Sequence, residues 1–352
     1  MIRFEKRKDA SKLFVAVAPF MSVLFALATA AIIMLIAGVN PLKAYMGMLN
    51  ESLGSVYGIT ETLVKSTPLI LTGLGVSIAF RMKIWNIGAE GQLYMGAMGA
   101  SLIALHSGLT GITGIVVMFL TAAVFGGLWA SVSGFLKAKA GVNEIIVTLL
   151  MNYIAIAWVS YLVYGPWKDP NGFNFPLTPR FSPDLILPTL STYRLHAGFL
   201  LALVLVAVVY IFMEKTVWGY EIKVIGNNPK AAKYAGISID KKIIGVMFLS
   251  GALAGIAGFS ESAGVQGRLQ EGISHGYGYT AIIVAWLAGR SAIGVLVVSV
   301  IMAVILVGGD SLQILMQLPV AFVNLFQGLI LFFILASDFF INNKPVIKRS
   351  GK

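Results

Sequence analysis

"RMKIWNIGAEGQLYMGAMGA", residues Arg81 to Ala100, places Glu90 and Gln92 beside a run of glycines, alanines and methionines. The rest of the chain fixes the solvent in which that carboxylate has to be explained. Of its 352 residues 58% are hydrophobic and only 12% are charged. With a mean hydropathy of +0.86, this composition lies outside that of water-soluble domains. Apolar runs near or above the ~20 residues that cross a bilayer recur along almost the whole length. The expected fold is therefore an all-α polytopic membrane protein. It should comprise a cytoplasmic N-terminal segment 1–12, a single transmembrane domain 13–341 and a cytoplasmic tail 342–352. The run 13–38 is too long for the apolar core of a cleaved leader, and no small-residue cleavage pattern clearly closes it, so it is expected to remain as a spanning helix.

Working outward from Arg81–Ala100, apolar runs place spans at 13–38, 62–80, 86–105, 114–136, 145–164, 195–213, 243–263, 278–289, 292–309 and 319–341. The eighth is too short for a full crossing and the second carries Lys65 and Pro68, so both are expected to be broken or re-entrant helices; nine spans is the alternative count. Basic residues accumulate in loops that stay in the cytoplasm. With ten spans and both termini inside, 20 of the 26 lysines and arginines fall on the cytoplasmic side. An odd count would put one basic terminus on the wrong side. The net charge of +11 thus reads as membrane topology rather than nucleic-acid binding. Ten spans also divide into two halves of five, which would be inverted relative to each other. Only a loose parallel between the polar breaks Asn86–Gln92 and Ser260–Tyr279 supports such a repeat.

Two loops stand out. The external loop 165–194 holds six of the twelve prolines and is expected to be extended or turn-rich, as a connector or as a docking site for an external partner. In the internal loop 214–242, Asn228 before Pro229 forms a strong helix start and Gly236 a left-handed stop. Between them Ala231, Ala232 and Tyr234 make a short, small-faced cytoplasmic helix, suited to a cleft in another protein or to the lipid surface.

The spacing Ala231-Ala232-x3-Gly236 resembles the loop by which ABC importer permeases contact their ATPase, with Lys230 where many such loops have glutamate. Together with "NIGAEGQ" (Asn86–Gln92), "GVNEIIVTLLMNYIA" (Gly141–Ala155) and "GVQGRLQEGISHGYGYTAIIVAWLAGR" (Gly264–Arg290), it makes the chain similar to the branched-chain amino acid and simple-sugar permeases. Within that family it looks most like the nucleoside-uptake permeases. The resemblance implies three partners: a cytoplasmic ABC ATPase, a second permease subunit (a copy or a related chain) and an external substrate-binding lipoprotein. It implies the bacterial cytoplasmic membrane as location, and a substrate that is a nucleoside, with simple sugars and branched-chain amino acids as alternatives. Ala231 or Ala232 would lie against the ATPase. The only Gly-Lys is Gly351-Lys352, so there is no P-loop; no cofactor is expected in this chain, and ATP and Mg belong to the partner.

Glu90 has two readings: it accepts hydrogen bonds at a helix break, or it lines the translocation path with Asn86 and Gln92. Asn152, Tyr153, Glu261 and Gln266 are weighed in the same way, between path lining and helix bonding. His106, His196 and His275 are scattered and read as interfacial rather than as a metal set, and Gly251, Gly255 and Gly258 read as close helix contacts. Two rival classes are an ion-coupled secondary transporter using Glu90 or Glu261, which would have no ATPase loop, and an intramembrane enzyme, for which no catalytic motif is present.

Overall fold

A computed structural model describes residues 2–6, 12–317 and 320–347. Thirteen α-helices carry the described chain. They are α1 (Lys12–Ile36), α2 (Pro41–Leu53), α3 (Val56–Arg81), α4 (Ala89–His106), α5 (Gly111–Ala140), α6 (Glu144–Tyr164) and α7 (Gly198–Lys215). After these come α8 (Val217–Asn227), α9 (Pro229–Tyr234), α10 (Ile239–Ser260), α11 (Tyr277–Leu287), α12 (Ala292–Met316) and α13 (Val320–Asn342). A terminal pair of strands, β1 (Ile2–Lys6) and β2 (Asn343–Ile347), is antiparallel. Each of the ten expected spans coincides with a helix. Among the described residues, however, only six helices are both long and apolar enough to cross a membrane, or seven if α1 and α2 count as one bent span.

The chain divides into two compact units, one built from residues up to Gly54 and from Ile305 onward, the other from Ser55 to Val304. In the first, Ala30, Met34, Ala44, Met48 and Leu312 form a buried cluster. The expected span 13–38 leads directly into a further helix. The chain turns by 117° into α2, because Asn40 caps the new helix, accepting from Leu42 N (3.0 Å) and Lys43 N (3.2 Å), with Pro41 in its first turn.

In the second unit, α4, α5 and α10 meet backbone to backbone. A Cβ on Gly96 would overlap the Gly255 backbone, one on Gly126 or Gly255 would overlap the facing helix, and one on Gly258 would overlap Leu93 and Ala97. The expectation that Gly251, Gly255 and Gly258 serve close helix contact agrees with this geometry. The expectation of a broken second span does not. α3 runs unbroken for 26 residues with Pro68 inside it, its Ser66 and Thr67 hydroxyls bonding the Leu63 carbonyl at 2.8 and 3.0 Å in the turn that proline weakens. The loop 165–194 packs inward: Phe181, Leu185 and Leu187 join a core with Ala100, Met118 and Phe259, and Asp184 accepts from Gly111 N at 2.8 Å.

Candidate functional site: two polar breaks in an apolar bundle

The segment between α3 and α4 is pinned by amides. Asn86 and Gln92 donate to each other's carbonyl oxygens at 2.9 Å in both directions, and Asn86 Nδ2 also donates to Ser250 Oγ at 2.8 Å. Asn152, two turns into α6, accepts from Gly91 N (2.8 Å) and donates to the Ile87 carbonyl (2.9 Å). Asn86, Gln92 and Asn152 are thus fully buried and engaged with the chain itself. Their amides satisfy backbone that has left the helix ladder, as an apolar medium requires.

Glu90 occupies the first turn of α4 and its carboxylate Oε2 accepts from Gly278 N at 2.7 Å, in the first turn of α11. Ser274, Gly276 and Tyr279 lie around it. Two helix N-termini therefore converge on one carboxylate, a place where negative charge is favoured. Approach is so close that a Cβ on Gly278 would overlap the Glu90 backbone.

Glu261 stands in the opposite setting. It begins a π-helical turn, Glu261–Gln266, that closes the C-terminal end of α10. It is buried, whereas Gln266 is half-buried. The charges of Arg194 and Lys65 bear on it. Arg194 also forms a two-pronged pair with Glu61 of α3, one prong at 3.0 Å from Nε. Beside them the Tyr57 and Tyr193 rings meet edge on, 5.5 Å apart. His196, read from sequence as interfacial, is buried within the chain: it is 1% exposed, enclosed by Gly198 and Gly264, where any Cβ would strike its ring. Its Nδ1 accepts from Gly198 N at 3.1 Å. Burial, with the Arg194 charge nearby, pushes its pKa down to about 4. His106 lies against Trp167, and among the described residues no three His, Cys, Asp or Glu side chains could share a metal ion.

Close to Glu90 the surface is aromatic and polar. Tyr153 is 62% exposed and Tyr279 37%. Tyr279 approaches Glu90, Asn152 and Tyr153. Tyr164 donates to Glu271 at 2.7 Å. Tyr153 was among the sequence candidates; Tyr279, Tyr164 and Glu271 were not singled out, although the repeated Gly-Tyr of residues 276–279 was visible.

On the α9 side, Asn228 accepts from Ala231 N at 3.1 Å, Pro229 opens the helix and Gly236 has φ +78°. Of the two alanines expected as alternatives at the ATPase contact, one faces outward and the other inward. Ala232 is completely buried within this chain and has no free face for another protein, whereas Ala231 is exposed and Tyr234 is 93% exposed.

A many-helix apolar fold with polar helix breaks inside it and a short capped helix between two long apolar ones defines a multi-pass membrane protein. Residues 58–335 match the family described as branched-chain amino acid transport system / permease component, and the chain belongs to that family of ABC transporter permeases. It is thus a transport subunit rather than an enzyme. It is 39% identical to the glucose ABC transporter permease protein TsgB13 of Haloferax volcanii, over 92% of this chain and 87% of that protein. It is 33% identical to the guanosine ABC transporter permease protein NupP of Bacillus subtilis (91% and 92%) and 29% identical to the nucleoside ABC transporter permease protein NupB of Lactococcus lactis (90% and 89%).

Proposed function

We propose that the chain forms half of the translocation path of an ABC importer for nucleosides. Ten helices would cross or enter a bacterial cytoplasmic membrane, both termini would face the cytoplasm, and a separate ATPase would use ATP and Mg. The pairing of β1 with β2 supports ends on one side of the membrane and hence an even number of crossings. A second permease subunit would complete the path and an external lipoprotein would deliver the substrate. With Ala232 turned inward as the anchor of α9, the exposed Tyr234 is the side chain best placed to enter the ATPase.

The observation that carries the substrate reading is the exposed pair Tyr153 and Tyr279 beside the Glu90 break. Two phenol rings at a helix break offer a planar base a stacking surface worth roughly 1–3 kcal/mol, and Glu271 offers an acceptor to ribose hydroxyls. Asn86, Glu90, Gln92 and Asn152 hold this wall in place and do not touch the substrate. Glu261 and Gln266 belong to the outer end, where the wall meets the delivered ligand.

The test is guanosine and glucose uptake by vesicles containing the complete transporter. Tyr153→Ala and Tyr279→Ala should each reduce guanosine uptake about 10-fold, while the phenylalanine variants keep most of it. Full uptake by both alanine variants would remove the stacking wall. The 39% identity to a glucose permease favours a simple sugar as the second reading. Glucose uptake with no guanosine uptake would establish it.

A further inference from the structure

A cavity of about 550 Å³ lies at the ends of α3, α7, α8 and α11, away from the tyrosine wall. Arg81, Lys215, Lys223 and Arg290 contribute four positive charges to its lining and Glu214 one negative charge. Glu214 is already committed, accepting from Arg81 Nη1 and from Lys223 Nζ, both at 2.6 Å. Lys215 and the guanidinium of Arg290 have no carboxylate partner among the described residues. Arg290 is held in the left-handed backbone region at φ +67°, uncommon for a side chain of its size. The Arg81 Nε–H donates to its carbonyl at 2.8 Å and so helps hold it at the rim. Gly289 and Ser291 complete that rim.

One wall of the cavity continues into an apolar lane. Leu200, Val204, Val208 and Ile211 are each at least half exposed along α7. Their spacing of i, i+4, i+8 and i+11 puts them on one face, and Lys215 falls on that same face one turn further on. Tyr210, an amphipathic ring suited to the water–lipid boundary, lines the cavity at this end. A ligand that matches both parts must carry a concentrated negative charge and hydrocarbon chains.

We propose that this cavity binds the phosphate headgroup of an anionic phospholipid, with the acyl chains lying along α7. Basic pockets between helices on the cytoplasmic side are suited to such headgroups, because the inner leaflet supplies anionic lipid and the low dielectric nearby strengthens each charge. The assignment to the inner leaflet rests on the proposed topology.

The experiment uses the complete transporter, purified, stripped of lipid and exposed to mixed micelles of phosphatidylglycerol and phosphatidylcholine, with bound lipid read by native mass spectrometry. The parent should retain phosphatidylglycerol selectively. Arg290→Gly, which keeps the left-handed backbone, combined with Lys215→Gln should weaken that retention roughly 30-fold, about a factor of five for each charge. Lys215→Gln alone serves if the double variant does not assemble. Lys241→Gln, which removes the same charge from another part of the loop, should leave retention unchanged. Three results would overturn the proposal: equal retention by parent and variants, displacement of the lipid by millimolar inorganic phosphate, or retention by the isolated permease but not by the complete transporter, which would make the cavity a protein interface. Substrate-stimulated ATP hydrolysis in the same samples separates this from the transport reading, since a failed transport reading shows no stimulation even in the parent.

Discussion

Glu90 and Glu261 are both buried glutamates at helix irregularities, and their surroundings are opposite in kind. Glu90 lies in the first turn of α4 and accepts a backbone N–H from the first turn of α11, so it is answered by main chain. Glu261 lies where α10 ends, on the side of a helix that presents carbonyl oxygens, and the charges that reach it are those of side chains from elsewhere, Arg194 of the loop and Lys65 of α3. An acid answered by backbone is fixed once the helices pack. One reached by the long side chain of Arg194 depends on the position of the loop that carries it, with Lys65 held on α3. The inner break is therefore a permanent joint, and the outer end is the part whose charge balance can change as the loop moves.

The strongest way to break this contrast is at Glu90. Glu90→Ala leaves the buried Gly278 N–H without its acceptor and opens a void between α4 and α11, and should lower the stability of the purified protein by about 4 kcal/mol, whereas Glu90→Gln keeps an acceptor and should lose about half as much. Thermal unfolding in detergent measures both. Equal losses would mean that charge alone, and not the bonded geometry, holds the joint.

Acid should act on the outer end next. The folded state depresses the His196 pKa from 6.5 to about 4, so the unfolded chain takes up a proton before the folded one does. The associated stability is fully present above pH 6.5, declines as pH falls toward 4 and is then exhausted, a total on the order of 3 kcal/mol. A His196→Gln variant should flatten that part of the stability profile; an unchanged slope would show that His196 is not its source.

A smaller effect, about 2 kcal/mol, is expected for Gly278→Ala, because the added methyl group meets the Glu90 backbone instead of a yielding side chain. Gly272→Ala, at an open position with φ +69°, provides a comparison in which only backbone strain is paid. Comparable losses would indicate that strain, not the close approach, sets the cost at Gly278.

The smallest effect should come from Glu61→Gln. Arg194 is 57% exposed in its side chain, so water screens the pair and the loss should be about 1 kcal/mol or less. Uptake should respond more than stability does, because the pair ties the external loop to α3. A stability loss as large as that of Glu90→Ala would erase the distinction between joint and adjustable end.

Local chemistry made part of this legible from the residues alone. Asn228, Pro229 and Gly236 specify α9 through caps that need no tertiary partner, and the glycines of α10 are spaced for contact along a single helix face. Asn40-Pro41 carries the same start signal as Asn228-Pro229, but the apolar run before it hid the turn into α2. Pro68 suggested a break because the sequence does not show that neighbouring hydroxyls and close packing can sustain the helix through it. The burial of His196 and Ala232, the two helix starts converging on Glu90, and the gathering of Tyr279 with Tyr153 depend on contacts between residues far apart in the chain. No periodicity encodes them.

The glycine contacts among α4, α5 and α10 have a mechanical consequence. Helices whose main chains touch have no flexible side chains between them to absorb sliding, and a displacement along the interface would drive carbonyl into Cα. The three should turn as one rigid body during a transport cycle. The bending that opens and closes the path then falls to the segments where the chain adopts left-handed glycine conformations around this body, at Gly267 and Gly272 beyond the end of α10 and at Gly141 between α5 and α6.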